Sequence, residues 1–440
     1  MDMNNATQAF IREHSDDDVR QLALQAARQP DVDMTLALQQ IRGRQTARKK
    51  MPTWAACEDI VYPPHLSMEQ CSSELTARYK AAIVAEKARR LKDEGVGSTR
   101  FVDLTGGFGV DFSWMSRSFD ERIYVERNAD LCALASTNFP LLGLKATVVQ
   151  ADACDYLHGM EAADVVFLDP ARRNEQGGRT YALADCTPNV LEMVDEWRQK
   201  VRFVVLKLSP MLDWHKAVDD LTHDGESSLC VEEVHLVAVQ NECKELLVVL
   251  ATRGGEVPVR CVCVNLNAAA EVAAQTSDNV EVTGGSERFE FDVLSTKNAH
   301  FIEASLNGSD LSSAALQRAG VSYLYEPHAA IMKAGCFALL CQRLQLATIA
   351  KDSHLFVADR LVADFPGRQF RIVAITTMNK RELATKMKGI DKANITVRNF
   401  PMGVAQLRKR LKLKDGGDDY LFATTLADGS HVLIIAKKAG

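Results

Sequence analysis

Four acidic residues stand at equivalent places in the chain, each where a short apolar run ends. Asp103 follows RFV, Glu126 follows RIYV, Asp152 lies just past ATVVQ, and Asp169 follows DVVFL. Carboxylates at such ends can accept hydroxyl and amine protons, or balance a positive charge on a ligand. Between the first two lies a turn with Gly106, Gly107 and Gly109, where missing side chains let the backbone approach a bound molecule closely. A pyrophosphate site on such a turn follows G-x-G-x-x-G, with the phosphate at the helix N-terminus. Counting from Gly107, Phe112 holds the place of the third glycine, and Asp103 beside the turn would repel phosphate.

A ligand with positive charge and no phosphate fits these residues better. S-adenosylmethionine carries an ammonium and a sulfonium, and Asp103 can serve its cationic methionyl end directly or through water. Glu126 comes 23 residues after Asp103, a spacing of one turn, one helix and one strand. It can accept both ribose hydroxyls, as the acid of a dinucleotide site does. Asp152 is placed for the adenine amino group. Any one of these acids alone reads equally well as a helix cap or a strand end. Three of them, at three successive strand ends and in binding order, point to a ligand. Asp169-Pro170 follows the fourth run, where open α/β sheets bind ligands. Asp169 can polarise or deprotonate a nucleophile, and Pro170 stiffens the loop that carries it.

The elements that must position these groups are legible as patterns. Residues 1–95 read as helical, including DDDVRQLALQAARQ and a long helix after QCSS that closes at Gly95 and Gly97. From Phe101 onward, five short apolar runs alternate with helical segments, the signature of a parallel sheet with crossover helices. LCVEEVHLVAVQ and KELLVVLA, joined by a short NEC turn, read as an antiparallel pair at the sheet edge. The stretch 267–310 is polar and reads as a linker or small subdomain. From about 311 a third module begins, with helices near IMKAGCFALLCQRLQ and strands near QFRIVAIT, ITVRNF, DYLFATT and HVLIIAK. The expected division is a helical region over 1–95, a ligand-binding α/β domain over 96–266, the linker over 267–310, and an α+β domain over 311–440.

With these residues in place, the chain resembles class I S-adenosylmethionine-dependent methyltransferases. VDLTGGFGVD is similar to that family's first motif, YVERN to its second, QADA to its third and LDPAR to its fourth. The resemblance implies a Rossmann-like α/β sheet, mostly parallel with an antiparallel edge strand, and S-adenosylmethionine as cofactor. It adds Thr105, Asp111, Arg127 and Ala153, which lie within these motifs, to the cofactor-binding candidates. Thr105 departs from the pattern, standing where the first glycine usually does. PTW, QCSSELTARYKA, LDPARR and YEPHAAIMKAG together resemble a bacterial group of methyltransferases with a C-terminal THUMP-like domain. In that group the helix before strand one closes over the cofactor. Gln70, Ser73 and Thr76 are therefore expected as further cofactor contacts, with Lys80 a weaker candidate.

The substrate is read from three features. Amino-group methylases of nucleic acids carry an aromatic ring in the fourth motif. Here Arg172 stands in that place, and a guanidinium plane can stack on a base or hold a phosphate. Asp169, Pro170 and Arg172 are thus the catalytic candidates. Carbon methylation of uridine needs a cysteine after the fifth strand. LKLSPML offers Ser209 instead, a far weaker nucleophile, and places Lys207 on the substrate side. Residues 368–414 hold 13 Lys and Arg against two acids. This balance of +11 leaves −17 over the rest of a chain whose net charge is −6. Such asymmetry is the footprint of a nucleic-acid-binding appendage, with Arg408, Lys409 and Arg410 as phosphate contacts. THUMP domains bind RNA, and the resemblance implies the same here.

The expected function is methyl transfer from S-adenosylmethionine to RNA, tRNA or rRNA, at a base nitrogen. Two other readings stay open: a cofactor-binding RNA factor without turnover, and a small-molecule methyltransferase. The eleven cysteines are scattered with no C-x-x-C pair, so free thiols in a reducing cytoplasm and no metal are expected. No apolar run reaches the length of a membrane span.

Overall fold

The structure, a computed structural model, describes residues 3–24, 29–172, 182–222, 229–252, 257–267, 286–306, 308–312, 315–316 and 319–439. The chain forms two compact units. The first comprises Met1–Val237, Lys244–Val257 and Leu266–Ser286; the second comprises Ala238–Cys243, Pro258–Asn265 and Glu287–Gly440. The N-terminal helices lie in the first unit. Of the helix expected in DDDVRQLALQAARQ, Val19–Leu24 is helical, and 25–28 lie outside the described residues, as do 268–285 and 307 of the polar 267–310 stretch.

The first unit is built on seven strands: β1 (Arg100–Asp103), β2 (Glu121–Glu126), β3 (Thr147–Gln150), β4 (Ala163–Leu168), β5 (Val201–Leu208), β6 (Cys230–Val239) and β7 (Glu242–Ala251). Their order is β3-β2-β1-β4-β5-β7-β6. The first five are mutually parallel. β4 is buried at every position, as a central strand covered on both faces must be. Chain order reverses on the two sides of β1, so a crevice opens beyond the carboxyl ends of β1 and β4, the usual ligand position in such sheets. β7 runs antiparallel to β5, with Leu246 opposite Leu208. The start of β7 therefore arrives at the edge where the other strands end, and brings Glu245 with it.

The helix Glu74–Asp93 fits its sequence. Ser73 caps it by accepting from the Thr76 backbone N–H, and Glu74 lies in the first turn, where negative charge opposes the helix dipole. Thirteen of its twenty residues are buried, Lys80 among them, so this helix is part of the core rather than a surface cover.

In the second unit seven strands form one mixed sheet. Their order is Ala347–Thr348, Phe356–Ala358, Tyr323–Pro327, Gly367–Thr377, His431–Lys438, Asp419–Thr425 and Asn394–Arg398. The last pair is parallel and the others are antiparallel. Phe370, Phe422 and Ile434 belong to one apolar cluster, Leu407, Leu421 and Ile435 to another. Helix Val404–Leu411 buries Leu407 and leaves Lys409 and Arg410 exposed.

Candidate active site

The glycine turn after β1 is held from several sides. Asp103 accepts the Thr105 backbone N–H at 2.9 Å. Glu126, at the end of β2, accepts the Gly107 N–H at 2.9 Å through Oε2 and the Asn128 N–H at 2.8 Å through Oε1. The Tyr124 hydroxyl donates to the Gly107 carbonyl. The glycines do different jobs. A Cβ on Gly106 would lie 2.1 Å from the Tyr124 ring, and one on Gly109 would lie 2.7 Å from the Phe139 ring. Gly107 (φ +55°) would meet nothing nearer than the Thr105 carbonyl at 3.8 Å. Gly106 and Gly109 thus let the turn pack on aromatic rings beneath it, and Gly107 leaves open space above.

That space is a cavity of about 690 Å³, within the usual range of small-molecule sites of roughly 300–1,000 Å³. Asp103, Thr105, Gly106, Gly107, Gly109 and Asp111 line it from the turn. Glu126 and Arg127 line it from β2, Asp152 and Ala153 from beyond β3, and Asp169 and Pro170 from beyond β4. Asp103 is 1% exposed; burial pushes its carboxyl well up, only partly offset by the Thr105 N–H. Asp152 also caps its helix, accepting the Cys154 N–H at 2.9 Å. The donor set fits S-adenosylmethionine: carboxylates ring the cavity, and an open glycine amide plane faces it. Glu126 and Asp152 would hold the nucleoside and Asp103 the cationic end.

A second cavity of about 170 Å³ shares Gln70, Asp169, Pro170 and Lys207 with the first and is lined further by Leu208, Ser209, Pro210, Leu212 and Lys244. At the junction runs a chain of alternating charges. Glu245 meets Lys80 at 2.6 Å, Lys80 meets Asp111 at 3.1 Å, Asp111 meets Lys207 at 3.5 Å, and Lys207 meets Asp169 at 2.6 Å. Ser72 donates to Asp111 at 2.6 Å. Burial works against the charge on Lys207, but Asp169, Asp111 and Glu245 outweigh it and raise its pKa. Burial would raise Asp111, but Lys80 and Lys207 hold it low. Burial raises Asp169, and Lys207 opposes that shift.

Several expected contacts fall elsewhere. Ser73 and Thr76 are engaged in the helix cap and do not line the cavity; Ser67, Gln70, Cys71 and Ser72 do. The backbone of Arg172 pairs with Cys186 in a two-residue ladder, and its side chain lies outside the described residues. Ser209 lines the second cavity. Arg408 is spent internally: it donates to the Ala393 and Lys414 carbonyls at 3.1 and 2.8 Å and to Asp415 at 2.6 Å. The sequence alone gave the residues of PTW no role. Thr53 donates to Glu74 at 2.6 Å, and the Trp54 ring stands 4.8 Å from that of Phe108, which lines the cavity. Glu245 was missed altogether, because nothing local in KELLVVLA signals a partner 165 residues away.

Residues 367–438 match a family described as THUMP domain-like, and residues 323–366 one described as a ferredoxin-like domain. Among curated proteins nothing matches. Among solved structures, a methyltransferase candidate from Porphyromonas gingivalis W83 aligns over 99% of this chain and 98% of its own, at 29% identity and a TM-score of 0.77. A class I S-adenosylmethionine-dependent methyltransferase candidate from Listeria monocytogenes aligns over 63% of this chain and 99% of its own, at 12% identity and a TM-score of 0.37. TrmK of M. capricolum, in complex with S-adenosyl-homocysteine, aligns over 37% of this chain and 65% of its own, at 10% identity and a TM-score of 0.28.

Proposed function

We propose that this chain, which joins a class I methyltransferase fold to a C-terminal THUMP-like domain, transfers the methyl group of S-adenosylmethionine to RNA, tRNA or rRNA, at a base nitrogen. One observation carries the reading. Asp103, Glu126 and Asp152 line a single cavity at successive strand ends, and Asp169 stands where that cavity meets a smaller one.

S-adenosylmethionine supplies an activated methyl on a cationic sulfur. The chain's own residues do the rest. Glu126 has both oxygens oriented by backbone amides, so its remaining lone pairs are aimed before any ligand arrives. The loop of Asp169 holds the acceptor in the smaller cavity, which Leu208, Pro210 and Leu212 also line. Asp169 takes a hydrogen bond from the acceptor nitrogen, leaving its lone pair directed at the methyl. The exposed Lys380, Arg381, Lys388, Lys409, Arg410 and Lys412 of the second unit supply phosphate contacts.

Calorimetry with S-adenosylmethionine, S-adenosyl-homocysteine and NAD tests the cofactor. The first two bind, and Glu126→Ala loses them. Tight NAD binding with none of the other two overturns the reading. Incubation of bulk RNA with methyl-labelled cofactor, followed by mass spectrometry of its nucleosides, tests the substrate and names the atom. Cofactor binding with no transfer to any RNA would favour a factor without turnover.

A further inference from the structure

We propose that Lys207 is the positioning residue of this site: it holds the Asp169 carboxylate by one oxygen, so that the other is presented to the acceptor, and ties that orientation to Asp111 on the cofactor side. The proposal rests on the methyl-transfer reading only for what meets the free oxygen.

The geometry fixes Asp169 at two points. Its backbone N–H donates to the Thr105 hydroxyl at 2.7 Å, which sets the loop. Its Oδ2 takes a hydrogen bond from Lys207 Nζ at 2.6 Å, which sets the carboxylate plane. Among the described residues Oδ1 has no hydrogen-bond partner, and the side chain is 38% exposed where the two cavities meet. Lys207 is itself only 12% exposed. It sits one residue before the end of β5, and lines both cavities. Its second contact, 3.5 Å to Asp111 Oδ2, reaches the helix that follows the glycine turn.

An ammonium suits this place. It is a compact charge with three donors on one atom, so it can bridge two carboxylates that approach from different elements. The charged groups that act on Asp169 are Asp103 from β1, Asp111 from the helix Val110–Met115, Lys80 from Glu74–Asp93 and Lys207 from β5, and Lys244 from β7 lines the same smaller cavity. Glu245 from β7 occupies Lys80. Without Lys207, Asp169 and Asp111 would face each other as like charges, with Lys80 already shared between Asp111 and Glu245. Carboxylates so placed cannot all stay ionised, and one takes up a proton. Asp169 is the member that would lose its nearest cation. Once protonated, it becomes a donor and can no longer accept the acceptor's N–H.

The test is infrared difference spectroscopy of the full chain at neutral pH. Lys207→Met minus wild type should show a new carboxylic acid C=O band, and the band should vanish in Lys207→Met/Asp169→Asn. Lys207→Arg, which keeps the charge, should not show it. Calorimetry should find S-adenosylmethionine affinity of Lys207→Met within a few-fold of wild type, while labelled methyl transfer to bulk RNA falls about 10²–10⁴-fold, the usual worth of a positioned acid or base. A folded Lys207→Met with no new band overturns the proposal. So does a band that survives Asp169→Asn, which would place the proton on Asp111 or Asp103. If Lys207→Met does not fold, Lys207→Gln carries the same test. If the wild type binds no S-adenosylmethionine, the methyl-transfer reading fails, and the spectroscopic result still decides the role of Lys207.

Discussion

The Thr105 hydroxyl accepts the backbone N–H of Asp169 at 2.7 Å. The residue that stands in place of the expected first glycine is thus a strut between the cofactor turn and the loop of the acceptor carboxylate. A glycine could not make this bond. Thr105→Val keeps the shape and removes the acceptor, leaving the Asp169 N–H without its partner at a cost of about 1–3 kcal/mol. Chemical denaturation of Thr105→Val should show that loss, and methyl transfer should fall with it. Thr105→Ser should retain both. Equal stability of the Val and Ser variants would mean that the strut carries no energy.

Much of the first unit could be read from the chain because its signals are local. The alternation of apolar runs and helical segments gives the parallel strands. The acids at the strand ends gather around one cavity because parallel strands bring their carboxyl ends to one edge. What could not be read are relations set by the antiparallel β7. The antiparallel hairpin is legible, but that β7 lies directly beside β5, and so brings Glu245 to Lys80, is a pairing that no residue near either one reports. Local competition decided another case. In QCSSEL, Ser72 and Ser73 are interchangeable by composition. Ser73 goes to the helix cap, which turns Ser72 toward Asp111. Arg408 looked like a phosphate contact because its neighbours are basic, but three internal acceptors around it were invisible in the sequence.

Asp103 should make the free protein more stable as pH falls toward the ordinary carboxylate range. Burial raises its pKa in the folded chain above the unfolded value. The stability it contributes is therefore full below the unfolded pKa, and is lost as pH rises through the folded one. Asp103→Asn keeps an oxygen for the Thr105 N–H and cannot ionise. Its melting temperature should exceed that of wild type by a margin that grows as pH rises above about 4, the unfolded carboxylate value. The same variant should bind S-adenosylmethionine more weakly, since the cation loses a carboxylate. A margin that does not change with pH would show that Asp103 titrates alike in the folded and unfolded chain.

The basic run of the second unit should divide into a clamp and an RNA-facing surface. Arg408→Ala removes three internal hydrogen bonds and should lower thermal stability. Lys409→Gln with Arg410→Gln, both exposed, should leave stability unchanged and weaken RNA binding alike across sequences. The slope of log affinity against log salt should become shallower by about 0.7–0.9 for each cation that no longer meets a phosphate. Binding of a mixed-sequence RNA measured over a range of salt separates the two effects. An unchanged slope in the double variant would put the RNA surface elsewhere.

Asp169 should serve the acceptor and not the cofactor. Its backbone is fixed by Thr105 and one carboxylate oxygen by Lys207, and it lies where the cofactor-sized cavity opens into the smaller one. Asp169→Asn keeps the shape and one acceptor oxygen but removes the charge that pairs with Lys207. Asp169→Ala removes both. If Asp169 holds the acceptor nitrogen, S-adenosylmethionine affinity stays within a few-fold in each. Single-turnover methyl transfer should fall by roughly two to four orders of magnitude in Asp169→Ala, and less in Asp169→Asn. The two also differ in stability. Asp169→Ala takes from Lys207 its nearest carboxylate and leaves Asp111, at 3.5 Å, and the more remote Glu245, which costs folding energy; Asp169→Asn still offers an oxygen to the ammonium. A purely structural Asp169 would show the opposite pattern: melting temperature and cofactor affinity would fall together, and turnover of the folded, saturated fraction would stay near normal. Melting temperature, cofactor affinity and single-turnover rate, measured on one preparation of each variant, decide between the two.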